Sequence, residues 1–392
     1  MSGKVFLVAG EPSGDALGAR LMQALREQAS GSLEFAGVGG PLMAHGGLLS
    51  PFPMAEPAPG GLKMILPQAP RVWHRLRRTA DEIDRFRPDL VLTIDSPSFA
   101  LRLQRRLAGQ ALLRVHYVAP QAWARRTAGA ARLARDLDHL LALLPFEPEF
   151  FRRHGVSCSF VGHPMVEEMD EAGGNGDRFR RRYQLPAEAP VLCLLPGARG
   201  SDVATHLPVL EQAVTLIWQR VSQLRLVLPT VPSKALLVKR LVARWKLPVL
   251  VLEDRDDRLD AYAASWLAIS ASATSSLEVA LSGLPAITIY RTGPLTAWLG
   301  RRLIGGPHVN LVNLILGRPA VPELLQDDCR PDRIAAAALR LIGDQRLRSD
   351  QQAALAEAAA RLRGTGHRRP SQCAAARVLE LLADHQSMRR TA

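Results

Sequence analysis

The sequence predicts an α/β protein in which helices cover two parallel sheets. Three observations carry that prediction. Short apolar runs alternate with helix-like stretches, the alternation lapses once in a polar, glycine-rich segment, and it then starts again. A chain of 392 residues is long enough to bury two cores.

In the first half, strands are expected at VFLVA (5–9), EFAGVG (34–39), LVLTID (90–95), LLRVHYV (112–118), HLLALL (139–144) and CSFVG (158–162). The lapse is MDEAGGNGD (169–177), whose composition suits a linker, so domains are expected at 1–168 and 178–370. The rhythm returns with VLCLLPG (191–197), LRLVLP (224–229), PVLVLE (248–253), LAISASA (267–273) and AITIYR (286–291). After Pro331 the chain is rich in Ala and Arg and reads as helical almost to its end. Two such halves would hold a ligand in the cleft between them, near the carboxyl ends of the strands.

The net charge of +13 asks for an anionic partner: nucleic acid, a membrane surface or a phosphorylated substrate. Aromatic residues are only 5% of the chain, too few for base-stacking platforms, so no nucleic-acid partner is expected. No apolar run approaches the length of a membrane span, and the five-residue run Val5 to Ala9 is too short for a signal-peptide core. The four cysteines form no CxxC pair and read as reduced thiols of a cytoplasmic protein.

The segment LLPGARGSD (194–202) follows a buried strand and opens a helix. A turn of this kind offers free N–H groups and the positive end of the helix dipole to an anion. Gly197 lets the backbone approach, and Arg199 adds a planar cationic fork suited to a diphosphate. A second strand-to-helix junction, SASATSSLEVALSGLP (270–285), brings Ser272, Thr274 and Ser275 to cap the helix and bind phosphate or sugar oxygens. Glu278 lies a turn later, placed to accept from both hydroxyls of a ribose. The competing readings are a plain turn with a solvated arginine, and a capping box made by Ser275 and Glu278.

Asp95 ends an apolar strand just before Pro97, where a partly desolvated carboxylate can act as general base toward an alcohol. Glu11 and Asp15 occupy the same edge of the first strand, so three carboxylates from two loops are expected together, with Glu11, Ser13 and Asp15 expected to hold hydroxyls. The alternative for Asp95 is a turn cap. Asp254-Arg255-Asp256 matches a metal-binding DxD, but its charged loop before a helix reads better as a solvated cap. No metal and no cofactor are implied.

The stretch GLKMILPQAPRVWHRLRRTADEI (61–83) interleaves Met64, Ile65, Leu66 and Trp73 with cations that include Arg75 and Arg78. Trp and aliphatic residues beside a basic flank suit an anionic bilayer surface, and LTAWLGRRLI (295–304) repeats the pattern. The alternative is an amphipathic helix packed on its own core.

These motifs together resemble the lipid-A-disaccharide synthases, inverting glycosyltransferases of the GT-B type. The segments that carry the resemblance are VAGEPSGDALGARLM, GVGGPLM, IDSPSF, HYVAPQAWA, LPFEPEFF, FVGHPM, LPGARGSDV, LEVAL and NLILGRPAVPELLQ, in order between about residues 4 and 330. The resemblance implies two Rossmann-like domains facing a cleft: an acceptor- and membrane-facing N-terminal domain and a UDP-sugar-binding C-terminal one. It also implies that a final helix, 371–392, crosses back to the N-terminal domain. The implied reaction joins UDP-2,3-diacylglucosamine to 2,3-diacylglucosamine 1-phosphate and releases UDP. By position, Asp95 would deprotonate the acceptor 6-hydroxyl, Arg199 would stabilise departing UDP, Glu278 would hold the ribose, and Asn313 would face the nucleotide or donor sugar. The implied location is peripheral, on the cytoplasmic face of the inner membrane, with a homodimer also admitted. The chain departs from the family pattern at Met64, Ser98 and Arg125, where glutamate, aspartate and tryptophan are usual. Two other readings stay open at this point: an altered paralogue that binds UDP-sugar or membrane without turnover, and an enzyme like UDP-N-acetylglucosamine 2-epimerase.

Overall fold

The structure, a computed structural model, describes residues 3–54, 69–120, 127–197, 199–271, 273–292, 308–364, 366 and 368–391. Its strands are β1 (Gly3–Ala9), β2 (Leu33–Val38), β3 (Leu90–Ile94), β4 (Leu113–Tyr117), β5 (His139–Ala142), β6 (Cys158–Phe160), β7 (Val191–Leu195), β8 (Arg225–Pro229), β9 (Val249–Leu252), β10 (Leu267–Ser270), β11 (Ala286–Tyr290) and β12 (Glu323–Leu325). The helices are α1 (Pro12–Gln28), α2 (Pro41–His45), α3 (Ala69–Phe86), α4 (Pro97–Arg106), α5 (Thr127–Asp136), α6 (Glu147–Arg153), α7 (Pro164–Ala172) and α8 (Gly176–Arg182). They continue with α9 (Gly200–Trp218), α10 (Pro232–Val242), α11 (Arg255–Ala264), α12 (Ala273–Leu281), α13 (Leu311–Leu316), α14 (Pro331–Gly343), α15 (Gln345–Leu362) and α16 (Pro370–Thr391). Proline opens α1, α2, α4, α10 and α14 within the first turn, where its missing N–H has no intrahelical acceptor to lose.

The chain forms two compact units, Met1–Pro164 with Leu362–Ala392, and Met165–Arg361. Each holds one parallel sheet of six strands, ordered β2-β1-β3-β4-β5-β6 and β12-β11-β10-β7-β8-β9. Strands β3, β5, β7 and β10 are buried at every residue, as parallel strands covered on both faces must be. All eleven expected strands are present. The twelfth, β12, is a three-residue edge strand that pairs with β11 among the described residues; it follows Pro322 and begins with Glu323, so no apolar run marks it.

In the first unit, α16 packs on α1. Ala374, Ala375, Val378 and Leu382 join Leu21, Met22 and Leu25 in one core, and Gln28 donates to the Gln372 carbonyl at 3.0 Å. The segment 169–177, expected as a linker, is folded inside the second unit. Asn175 accepts from Arg178 N–H as the N-cap of α8, and its own N–H donates to Asp260 Oδ1 at 2.7 Å. Gly174 and Gly176 lie directly on α11; a Cβ on Gly176 would come within 2.7 Å of the Ala263 carbonyl. The glycines serve close packing here, and composition alone cannot tell that use from flexibility.

Candidate functional site

In each sheet the strand order reverses once, between β1 and β3 and between β7 and β10. The carboxyl ends of strands flanking such a reversal diverge and leave room for a ligand. The sequence-predicted residues fall at both places.

In the first unit, Asp95 and Ser96 leave β3 with φ of +54° and +44°, two successive left-handed residues that are not glycine. Asp95 is half-buried. Its Oδ1 accepts from the Ser96 N–H at 2.8 Å, and its Oδ2 accepts from Ser13 Oγ at 2.8 Å. Ser96 Oγ donates to Glu11 Oε1 at 2.9 Å. Gly10 permits this, since a Cβ there would stand 2.7 Å from Ser96 Oγ. Asp95, Glu11 and Ser13 are therefore one cluster, in which Glu11 acts on Ser96 and so on the turn carrying Asp95.

Asp15 is not part of that cluster. It is 2% exposed and its oxygens accept from the backbone N–H groups of Gly40, Leu42 and Met43 at 2.9 to 3.0 Å. It caps α2, and the expectation that it holds a substrate hydroxyl is corrected: its acceptor positions face backbone donors.

Beneath Asp95, Thr93 and His116 are register partners on one sheet face, with Thr93 Oγ1 2.8 Å from His116 Nδ1. Gln104 donates to Thr93 Oγ1 at 3.0 Å and to the Val115 carbonyl at 2.9 Å. Burial pushes His116 down to about 4, against an upward pull from Asp95, so the imidazole is neutral at pH 7.

In the second unit, Leu195, Gly197, Thr230, Arg258, Tyr262, Ser275 and Glu278 line a pocket at the carboxyl ends of β7 and β8. Gly197 has a φ of +112°, open to glycine and strained for other residues. His206 ties the loop down. Its Nε2 accepts from Arg291 N–H at 3.0 Å, so Nδ1 carries the proton and donates to the Pro196 carbonyl, also at 3.0 Å. Arg199 is exposed at the N-cap of α9, beside this loop rather than in the pocket lining. The first N–H groups of α9 have no acceptor within the helix, which suits an anion.

Glu278 is 18% exposed in its side chain. Its Oε1 accepts from Arg258 Nη2 at 3.0 Å and its Oε2 from the Tyr262 hydroxyl at 3.2 Å. Because α12 begins at Ala273, Ser275 lies inside the helix and the capping-box reading fails. Asn313 is corrected as well. It is fully buried, its Oδ1 accepts from Ala320 and Val321 N–H, and its Nδ2 donates to the Val321 carbonyl, all at 2.8 Å. It shapes the loop after α13 by bonding that loop's backbone. Asp254 caps α11 through Asp256 and Asp257 N–H, so the DxD match is a cap.

Ser272, the Thr274 side chain, Met64, Ile65, Leu66 and the stretch 295–304 lie outside the described residues. Trp73 is 64% exposed on the outer face of α3, while Leu76, Ala80 and Ile83 bury the inner face against the core. Arg75 is half-buried; Arg78 is exposed, stacks over Phe52 and reaches the Pro51 carbonyl at 3.4 Å. Sequence reasoning missed Arg258, Tyr262 and His206. A charged and an aromatic residue four apart before an apolar strand was the available signal for the first two.

The family described as lipid-A-disaccharide synthetase matches residues 5–378. A lipid-A-disaccharide synthase of Rhodospirillum centenum is 47% identical over 380 residues, 96% of this chain and 94% of that one. That of Gluconobacter oxydans is 41% identical over 381 residues, 96% and 90% of the two chains. Among solved structures, UDP-GlcNAc 2-epimerase of Neisseria meningitidis bound to UDP-GlcNAc matches with a TM-score of 0.62 at 10% identity, over 98% of this chain and 100% of that one. That of Methanocaldococcus jannaschii matches with a TM-score of 0.58 at 12% identity, over 98% and 99%. At such identities the likeness is one of fold.

Proposed function

The chain belongs to the lipid-A-disaccharide synthetase family, and from that premise we propose how its residues carry out the reaction. It is a glycosyltransferase of lipid A disaccharide synthesis. The epimerase reading gives way, because the likeness to those enzymes is fold alone at 10–12% identity.

The donor is UDP-2,3-diacylglucosamine and the acceptor 2,3-diacylglucosamine 1-phosphate. Asp95 takes the proton of the acceptor 6-hydroxyl, and the oxygen attacks C1 of the donor sugar. The bond from C1 to the diphosphate oxygen breaks with its electron pair on UDP, and the configuration at C1 inverts. One observation carries the assignment of the base: Asp95 is half-buried and fixed through Ser13 and Ser96, and among the described residues these leave lone pairs on both oxygens open. In the second unit, the Gly197 loop, the start of α9 and Arg199 receive the diphosphate as its charge grows. Glu278 receives the ribose. The first unit is then the acceptor- and membrane-facing domain and the second the UDP-sugar domain.

The exposed Trp73, with Arg77 and the partly exposed Arg75 beside it, gives α3 an outer face suited to an anionic bilayer surface. Among the described residues no helix is long and apolar enough to cross a membrane. Peripheral attachment to the cytoplasmic face of the inner membrane is the reading that fits acylated substrates.

The test is UDP release by purified protein in detergent, with the donor supplied in the presence and absence of the acceptor. Acceptor-dependent release with a disaccharide product is expected. UDP binding without acceptor-dependent release would overturn the proposal.

A further inference from the structure

Glu278 stands between two donors on one face of a neighbouring helix. Arg258 and Tyr262 are four residues apart on α11, and each holds one oxygen of the carboxylate, at 3.0 Å and 3.2 Å. Burial pushes the Tyr262 phenol well above its ordinary value, so its hydroxyl stays a donor. Helix α11 is itself fixed at its start and along its first two turns. Asp254 caps it, Asp257 accepts from Arg182 and Tyr183, and Asp260 accepts from Arg178 and Asn175 N–H. The Nε of Arg258 is buried with no hydrogen-bond partner among the described residues. Such a donor costs roughly 1–3 kcal/mol, so local stability alone is a poor reason for an arginine here.

A carboxylate has about four acceptor positions. Arg258 and Tyr262 occupy one on each oxygen, which fixes the plane of the group and leaves one more on each. Two acceptors in a fixed plane match the adjacent hydroxyls of a ribose.

We propose that Arg258 and Tyr262 are positioning residues that hold Glu278 as the reader of the ribose diol, and so set the preference of this pocket for ribonucleoside over dideoxynucleoside diphosphates. The inference rests on the reading of this pocket as the UDP site.

The experiment measures the affinity of the full chain for UDP and for 2′,3′-dideoxy-UDP by calorimetry, in the wild type and in Glu278→Ala, Arg258→Met and Tyr262→Phe. The wild type should favour UDP by tenfold or more, and Glu278→Ala should bring the ratio close to one. Arg258→Met should weaken UDP about tenfold and Tyr262→Phe about threefold, each leaving dideoxy-UDP within about twofold. If Arg258→Met does not fold, the conservative Tyr262→Phe decides alone. Equal weakening of both nucleotides by either clamp variant would overturn the inference. So would an unchanged ratio in the clamp variants when Glu278→Ala collapses it, although the pocket reading would then stand. Unchanged affinities for both nucleotides in Glu278→Ala would remove the pocket reading and the inference with it.

Discussion

Two left-handed residues in succession, Asp95 and Ser96, cost on the order of 1 kcal/mol or more each, so their surroundings must over-determine them. The bonds from Ser13 to Asp95 and from Ser96 to Glu11, with the space left at Gly10, do so. Asp95→Asn keeps the size of the side chain and removes its basicity. Turnover should fall by about 10²- to 10⁴-fold, the usual worth of a general base, while UDP affinity stays within twofold. UDP release and a UDP titration of the same preparation check both halves; a variant that keeps most of its rate would move the base elsewhere. Gly10→Ala tests the turn without touching the base. Its Cβ would press on Ser96 Oγ from 2.7 Å and shift Asp95, so kcat should fall about tenfold with UDP affinity unchanged. Undisturbed kinetics in Gly10→Ala would mean that the turn absorbs the added methyl without moving Asp95.

Residues that look alike in sequence separate once the elements are placed. Asp15, four residues from Glu11, faces α2 rather than the site, and three backbone N–H groups depend on it. Asp15→Ala should lower the stability of the first unit by about 3 kcal/mol, read as a shifted urea midpoint, and leave kcat of the folded fraction within about twofold. A large loss of kcat at full stability would return Asp15 to the chemistry. The eleven expected strands were legible because the strands of a parallel sheet covered by helices read as short, largely apolar runs. Strand β12 was not, since Glu323–Leu325 stands between Pro322 and Gln326 with no longer apolar run around it, whereas the equally short β6 lies in the run CSFVG. The junctions at Asp95, Gly197 and Glu278 were legible because strand-to-helix turns use few residue types. Asp15 and Asn313 were misread for the same reason: a polar residue near such a turn serves backbone donors as readily as it serves a ligand. Arg258 and Tyr262 stayed hidden because only the packing of α11 beside α12 gives them a common partner.

The whole chain carries a net charge of +13, and the outer face of α3 joins part of it to an exposed tryptophan. Binding to vesicles with anionic lipid should therefore weaken as salt is raised from 50 to 500 mM, and Trp73→Ala should weaken it further at any salt. Flotation on neutral vesicles is the control, and equal binding to both compositions would remove the electrostatic part of the proposal. Acid stability follows from the interior. His116, His139 and His163 are each pushed down to about 4 by burial, with Asp95 opposing the shift at His116 and Arg377 adding to it at His139. In the unfolded chain each titrates near 6.5. Between pH 6.5 and 4 the unfolded state therefore binds more protons than the folded one, and stability falls as the pH is lowered through that window. Each histidine adds up to about 1.4 kcal/mol per pH unit, and above pH 6.5 its contribution is complete and flat. Urea midpoints should be level from pH 8 to 7 and drop steadily from 6.5 to 4.5. His116→Asn keeps a partner for Thr93 but cannot take up a proton, so it should reduce the slope of that drop whatever it costs at neutral pH. If the slope survives His116→Asn, acid is entering the protein by another group, and the neutral imidazole beneath Asp95 is not among the residues that set its acid limit.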